Sequence, residues 1–322
     1  MRLPTRLERP QRAATLLLPW VFLGWVLLGW VLGPCPAADA QAPGDPPPTS
    51  ADISYGPHER NILDFWQAEG AGNRPLLVII HGGGWITGDK RLKRPPLGPF
   101  LDKGISIAAI NYPLAPDNPL PAPVHDAARA IQFLRWKADE LGIDSERIGL
   151  TGTSAGACTA MWILLHDDLA DPAASDPVLR QSTRVRAAAV SVGQTSIDPD
   201  VVEAWLGPAI LEHPMIPQAV GEASIAAVRA RADRYRPLYL EFSPINHVDG
   251  DDPPLFMTCS AEMDLPARDP GHGIHHPLHG VKLREKSAAV GHECHLVVPG
   301  WSASTQYTDG TQFLLDKLLS ED

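Results

Sequence analysis

The sequence predicts a single large α/β domain, in which a mostly parallel sheet is covered by helices on both faces. Short runs of consecutive apolar residues alternate with helical patterns, and strands that are buried on both faces of a parallel sheet have this composition. Such runs occupy residues 76–80, 105–110, 148–151, 187–192, 255–260 and 294–298. Right-handed crossovers between these strands are expected to place the helices on the faces of the sheet.

The segments between these strands have patterns of their own. Residues 53–66 alternate loosely between polar and apolar positions, which predicts the first antiparallel strands. Apolar residues recur every three or four positions over 124–141, which predicts an amphipathic helix closed by Gly142. A last helix is expected at 312–319, and the helical pieces at about 196–245 are expected to form a small lid-like insertion over the site.

Residues 1–40 have the pattern of a secretory signal peptide. Arginines stand at positions 2, 6, 9 and 12, an apolar run covers 13–33, and residues 38–40 read Ala-Asp-Ala, an A-x-A cleavage site. We therefore expect an exported protein, periplasmic or secreted. The apolar run is long for a signal, so an uncleaved membrane anchor is the alternative. A proline-rich linker at 41–51 then precedes a domain at 52–322.

Charge and cysteine content limit the partners. The net charge of −11 argues against nucleic acid and anionic membrane surfaces. After a cleaved signal, Cys158, Cys259 and Cys294 remain, far apart and without C-x-x-C spacing. Neither a disulfide framework nor a zinc site is indicated, and we expect buried thiols.

The sequence Gly-Thr-Ser-Ala-Gly at 152–156 stands between a predicted strand and an apolar, helix-prone run. In this context a G-x-S-x-G pattern predicts a tight turn that holds Ser154 in a strained backbone conformation at the end of the strand. Gly152 and Gly156 fit the same turn, because side chains there would collide where helix and strand pass closely. We therefore predict that Ser154 is a nucleophile.

A glycine run, His-Gly-Gly-Gly-Trp at 81–85, follows the predicted strand at 76–80. Serine needs a base to take its proton, and the anion that forms in acyl transfer needs fixed donors. The backbone N–H groups of Gly83, Gly84 and Ala155 are predicted to form such an oxyanion hole. Both motifs end predicted parallel strands, so they are expected at the same edge of the sheet.

Together these motifs resemble those of the α/β-hydrolase carboxylesterases, particularly the hormone-sensitive-lipase-like and feruloyl-esterase-type (BD-FAE) branches. The segments that carry the resemblance are 81–85 (HGGGW), 88–90 (GDK), 111–116 (NYPLAP), 123–126 (PVHD) and 152–156 (GTSAG). The resemblance implies an α/β-hydrolase fold, ester hydrolysis through an acyl-serine and no cofactor. It also implies a small-molecule or carbohydrate-linked ester as substrate. Asp126 has a structural role in this pattern.

The resemblance implies that the catalytic acid follows the next-to-last strand. The segment that begins with the strand at 255–260 ends in Glu262, Met263 and Asp264. Asp264 is the predicted carboxylate that orients the histidine, although it stands one residue later than usual. Glu262 is the alternative.

The histidine of the resemblance is missing from its usual place. It follows the last strand, a few residues after a Pro-Gly step, but here residues 299–304 read Pro-Gly-Trp-Ser-Ala-Ser and no histidine follows His295. One interpretation takes the base from the insertion HGIHHPLH at 272–279, with His272, His275 and His276 as candidates. Another takes His292 or His295. A third holds that hydrolysis is lost and that the fold binds a ligand or partner.

The same insertion raises the question of a metal, because His275 and His279 stand four residues apart. Pro277 is expected to begin a helix, which leaves His275 outside it and separates the two rings. No nearby cysteine or paired carboxylate completes a coordination set, so we predict no metal site.

Overall fold

The computed structural model describes residues 45–92, 95–301 and 305–320, which all belong to one unit of the chain. The predicted signal peptide and residues 41–44 of the linker lie outside the described residues. Over those residues, no helix combines the length and the apolar character that a membrane crossing requires.

An eight-stranded sheet forms the centre of the fold, in the order β1-β2-β4-β3-β5-β6-β7-β8. The β2 strand runs antiparallel to both its neighbours, and the other pairs are parallel. The strands are β1 Ser50–Ser54, β2 Ile62–Trp66, β3 Arg74–Ile80, β4 Ser106–Ile110, β5 Ile143–Thr153, β6 Ala187–Ser191, β7 Leu255–Thr258 and β8 Cys294–Val297. This sheet confirms the predicted fold class, and β1 begins within the segment expected to be a linker.

Helices cover both faces of the sheet. They are α1 Gly98–Leu101, α2 Ala122–Trp136, α3 Ala138–Leu141, α4 Ala155–Leu165, α5 Pro199–Leu206, α6 Met215–Gln218, α7 Ile225–Arg229, α8 Ala232–Glu241, α9 Pro270–Ile274, α10 Leu278–Val290 and α11 Gly310–Leu319, with 3₁₀ turns at Pro208–Glu212 and Pro244–Asn246. Alternate residues of β3 enter the two apolar cores: Leu76, Val78 and Ile80 pack into the larger one, and Leu77 and Ile79 into the smaller one.

Two predicted elements differ from the structure. The single helix expected at 124–141 is two helices, because Lys137 leaves helical geometry (φ −95°, ψ 11°) between α2 and α3. Gly142 ends α3 in a left-handed conformation (φ 62°), as the pattern predicted. The strand before the serine begins at Ile143, five residues earlier than its apolar run. Ile143 is buried, but residues 144–147 are half-buried or exposed, so no apolar run marked this part of the strand.

The segment between β6 and β7 contains four short helices, α5 to α8, and the two 3₁₀ turns. It contacts the site through Met215, whose Cβ lies 3.4 Å from the position that a Cβ on Gly84 would take. It also packs on α9, since a Cβ on Gly273 would lie 2.8 Å from that of Ile210. Part of this segment therefore borders both the glycine run and the helix before His275.

Candidate active site

Ser154 occupies the turn that joins β5 to α4. Its backbone has φ 55° and ψ −123°, a conformation that non-glycine residues adopt rarely and at a cost in free energy. The N–H of Ser154 donates to the carbonyl of Ser191, at the end of β6, over 3.0 Å. The turn is crowded: a Cβ on Gly152 would lie 2.5 Å from the carbonyl oxygen of Gly156. A Cβ on Gly156 would lie 2.2 Å from the carbonyl oxygen of Ile80.

The structure brings one of the candidate bases to the serine. The Nε2 atom of His275 lies 2.9 Å from the Oγ atom of Ser154. His275 directly follows α9 and precedes α10, so it comes from the connection between β7 and β8. Because a hydroxyl donates to an unprotonated ring nitrogen, this geometry suits removal of the serine proton by His275.

His272 and His276 make other contacts and bind the loop that follows β7. The Nε2 atom of His272 donates to the carbonyl of Glu262 over 3.1 Å, and that of His276 donates to the carbonyl of Asp264 over 3.2 Å. Their ring centroids are 4.8 Å apart. The Nδ1 atom of His276 accepts from the N–H of Leu278 over 3.0 Å, so both ring nitrogens of His276 are used in the fold.

The remaining histidine candidates, His292 and His295, contact other residues. His295 lies in β8, where Nε2 donates to the carboxylate of Glu293 over 3.0 Å and Nδ1 accepts from the hydroxyl of Thr305 over 2.9 Å. His292 donates from Nε2 to the carbonyl of Pro253 over 2.9 Å. These contacts place neither ring beside Ser154.

Asp264, the predicted orienting carboxylate, lies exposed in the loop after β7. Its described hydrogen bond joins its backbone carbonyl to His276, the residue after His275. The alternative, Glu262, is also exposed, and its carboxylate forms an ion pair with Arg268. The assignment of the catalytic acid therefore remains a prediction.

The glycine run forms a tight loop beside Ser154. Gly83 and Gly84 have positive φ values of 109° and 65°, and a Cβ on Gly83 would lie 2.1 Å from the carbonyl oxygen of Thr87. The carbonyl of Gly83 accepts from the N–H groups of Ile86 and Thr87 over 3.0 and 3.1 Å. Within the described ranges, no backbone hydrogen bond uses the N–H of Gly83 or Gly84. These two donors are therefore available to an oxyanion.

The side chain of Trp85 connects the glycine run to α4, the helix that follows Ser154, through a hydrogen bond. Its indole Nε1 donates to the hydroxyl of Thr159, on α4, over 2.9 Å, and this hydroxyl donates to the carbonyl of Ala155 over 3.0 Å. The side chains of Trp85 and Thr159 are fully buried. The backbone donors on the two sides of the predicted oxyanion hole are thus joined through one hydrogen-bonded chain.

The side chain of His81 stabilises the start of the glycine run. Its Nδ1 donates to the carbonyl of Gly82 over 2.8 Å, and its ring stacks on that of Tyr112, with centroids 4.2 Å apart. The hydroxyl of Tyr112 donates to the carbonyl of His81 over 2.7 Å. Burial lowers the pKa of His81 to about 4, so the ring is neutral at pH 7.

The structure adds residues to the site that no sequence motif indicated. The pKa of His213 is lowered, first by burial and then by electrostatic repulsion from a protonated His275. The side chains of Gln194 and Ser260 donate to the carbonyls of Ile274 and His275, over 2.7 and 3.2 Å. All three residues lie on connections after β6 or β7, and only their position after a predicted strand could have indicated them.

The part of the chain that the structure describes contains no group of three or more histidine, cysteine, aspartate or glutamate side chains arranged to hold a metal ion. Cys158, Cys259 and Cys294 are free thiols. Burial raises the pKa of Cys259 to about 12 and that of Cys294 to about 11, so these thiols are protonated at pH 7.

Comparisons with known proteins give a consistent result. A model of the BD-FAE family matches residues 63–264. The probable carboxylic ester hydrolase LipM of Mycobacterium tuberculosis is 32% identical over 211 residues, which are 64% of this chain and 46% of LipM. Esterase LipQ of the same organism is 32% identical over 214 residues, 65% of this chain and 47% of LipQ. The chain thus spans about half the length of these relatives.

Solved structures share the fold at low sequence identity. An acetyl ester-xyloside bifunctional hydrolase from Caldicellulosiruptor lactoaceticus has a TM-score of 0.63 at 20% identity, with 85% of this chain and 96% of that chain covered. A truncated carbohydrate esterase from gut microbiota has a TM-score of 0.65 at 18% identity, covering 84% of this chain and 96% of the other. These likenesses show the fold alone.

Proposed function

This chain belongs to the BD-FAE family of α/β-hydrolases, and we propose on that premise that it is a serine hydrolase that cleaves carboxylic esters. One observation carries the proposal: the hydroxyl of Ser154 lies 2.9 Å from Nε2 of His275, on a strained turn beside the glycine run. Acyl transfer to serine requires a nucleophile, a base that takes its proton and fixed donors for the oxyanion, and Ser154, His275 and the glycine run are suited to these three roles.

In the proposed mechanism, the Oγ atom of Ser154 attacks the ester carbonyl while Nε2 of His275 takes the hydroxyl proton. The N–H groups of Gly83, Gly84 and Ala155 donate to the resulting oxyanion. The protonated His275 then gives its proton to the departing alcohol, which leaves an acyl-serine. Water attacks this ester with His275 again as the base, and the acid is released as Ser154 regains its proton.

We propose small-molecule or carbohydrate-linked esters as substrates. The relatives LipM and LipQ are named a probable carboxylic ester hydrolase and an esterase, and two structural neighbours an acetyl ester-xyloside bifunctional hydrolase and a carbohydrate esterase. Export through residues 1–40, or tethering to a membrane by the same segment, is part of this proposal and rests on the sequence pattern alone.

The alternative function is ligand or partner binding without hydrolysis, and the absence of a histidine after the last strand is the reason to consider it. The contact between His275 and Ser154 supports a base from another part of the chain. Catalysis is therefore the function that the site favours.

Hydrolysis of p-nitrophenyl acetate tests the proposal. We expect Ser154→Ala and His275→Ala each to lower kcat by at least about a thousandfold, because nucleophile and base act as a unit. His295→Ala is the matched control, since that ring contacts Glu293 and Thr305 instead, and it should retain kcat. Equal rates for the wild type and Ser154→Ala would contradict the enzyme proposal, and a fully active His275→Ala would contradict the choice of base.

A further inference from the structure

Gln194 is a fully buried polar residue three positions after the end of β6. Its amide Nε2 donates to the carbonyl of Ile274 over 2.7 Å. This carbonyl belongs to the peptide unit that enters His275. The same nitrogen lies 3.4 Å from the carbonyl of Val192, so the hydrogen bond to Ile274 is the shorter of the two. Among the described residues, the amide oxygen of Gln194 has no hydrogen-bond partner.

Ser260 makes the corresponding contact on the other side of His275. Ser260 lies two residues after β7, and its hydroxyl donates to the carbonyl of His275 over 3.2 Å. This carbonyl belongs to the peptide unit that leaves His275. The two donors therefore come from different strand ends and hold the two peptide planes on either side of one Cα atom.

Two fixed peptide planes determine the backbone angles of the residue between them. Because peptide units are planar, two hydrogen bonds that hold both units also hold the backbone of His275 at φ −114° and ψ 16°. The two side-chain torsions are then the only remaining freedom of the residue. The ring must then reach Ser154 through these torsions. A displacement of about 1 Å at a catalytic group can cost about a hundredfold in rate, so this restraint matters for chemistry.

The local structure around His275 is too short to provide this restraint by itself. The α9 helix has five residues, ends at Ile274 and contains Gly271 and Gly273. Helices of this length are marginal without tertiary contacts. Asp269 caps the N-terminus of α9, but an N-cap orders the first turn of a helix and not His275, which follows its last residue.

We propose that Gln194, together with Ser260, positions His275 for proton transfer from Ser154. Gln194 is a positioning residue, since its described hydrogen bonds go to the carbonyls of Val192 and Ile274 and it acts through the peptide unit between Ile274 and His275. The inference rests on the proposed function of His275 as the base.

The test replaces the amide by a side chain of similar shape that cannot donate. Gln194→Met is compared with Gln132→Met as a control. Gln132 is a buried residue of α2, and its amide donates to the backbone carbonyls of Leu179 and Gln181 over 3.4 and 2.8 Å. We expect Gln194→Met to lower kcat about ten- to a hundredfold with KM little changed. Gln132→Met should leave kcat unchanged at a similar loss in Tm. Equal kcat values for the two variants would overturn the proposal.

Ser260 offers a rescue experiment. Ser260→Ala should lower kcat in the same way, whereas Ser260→Thr keeps the hydroxyl and should restore it. A loss of kcat in both variants would indicate a general effect of packing at this position and would contradict the role of the hydroxyl.

A structural readout separates this inference from the proposed function. In a crystal structure of Gln194→Met, the distance from Nε2 of His275 to Oγ of Ser154 should exceed hydrogen-bond range. An unchanged distance would overturn the positioning role even if the wild type is an active esterase. A wild type without Ser154-dependent hydrolysis would contradict the proposed function, while the measured distance would still decide whether Gln194 holds the ring.

Discussion

Two glycines, Gly83 in the candidate site and Gly72 outside it, differ in what an added side chain would meet. At Gly83, an added methyl group would collide with the carbonyl of Thr87, at 2.1 Å, and the residue also has a positive φ of 109°. At Gly72, φ is 78° but no atom lies within 4 Å of the methyl position. Alanine at Gly72 therefore introduces backbone strain alone, whereas alanine at Gly83 introduces backbone strain and also displaces the loop.

We predict that Gly83→Ala lowers kcat for p-nitrophenyl acetate by about 10²–10³-fold. The methyl group must push the loop away from Thr87, and the N–H of residue 83 then no longer points at the oxyanion. Gly72→Ala carries a comparable conformational strain outside the site and should keep kcat. Steady-state kinetics of the two purified variants decides the matter. A Gly83→Ala enzyme with normal kcat would exclude this N–H from the oxyanion hole.

The histidine-rich insertion shows which residue-level predictions could be made from sequence and which could not. Pro277 indicated correctly that a helix begins near it and that His275 lies outside. The choice among His272, His275 and His276 depends on contacts with Glu262, Asp264 and Ser154, and Ser154 is 121 positions away in the chain. No local pattern encodes such a contact.

At the scale of elements, the glycine run and α4 behave as one unit. The indole of Trp85 and the hydroxyl of Thr159 join them in a buried hydrogen bond. Breaking this bond leaves the indole N–H buried without its acceptor, which typically costs about 1–3 kcal/mol. It also releases the loop that carries the predicted oxyanion donors.

Thr159→Val is expected to lower the free energy of unfolding by about 1–3 kcal/mol and to reduce kcat as well. Valine has nearly the shape of threonine, so the lost hydroxyl is the main change. Denaturant titration and p-nitrophenyl acetate kinetics measure the two effects. Thr159→Ser keeps the acceptor and should preserve most of the activity. If Thr159→Val loses stability alone, the hydrogen bond does not control the geometry of the loop.

Strand and helix predictions succeeded where the signal is local and continuous. The β3 and β6 strands coincide closely with their apolar runs, and the turn at Ser154 follows from its glycines. Gln194 was missed because a single polar residue after a strand has no periodicity. Its burial and its contact with Ile274 arise only when β6 and α9 come together.

For the whole molecule, buried histidines couple stability to pH. Burial lowers the pKa of His81 to about 4 and that of His279 to about 3, and both side chains are nearly inaccessible to solvent. In the unfolded chain these rings have an ordinary pKa of about 6.5. Between the two values the unfolded state binds more protons, so stability rises with pH and falls as the solution is acidified.

We predict that the free energy of unfolding decreases by about 2 kcal/mol for each of these two histidines between pH 7 and pH 5. The loss begins below about pH 6.5, where the unfolded rings take up protons, and continues to the pKa of the folded state. Urea titrations at pH 7, 6 and 5 measure the slope. A His279→Gln variant lacks one ring and should show a shallower slope, while unfolding free energies that do not vary over this interval would contradict the prediction.

The end of β6 has a further consequence for the proton path. Ser191 accepts from the amide of Ser154, and Gln194, three residues later, holds the turn before His275. Ser154, which gives up the proton, and His275, which accepts it, are thus both connected by hydrogen bonds to residues 191–194. We therefore expect a displacement of the end of β6 to move Ser154 and His275 together and to leave the distance between Oγ and Nε2 unchanged.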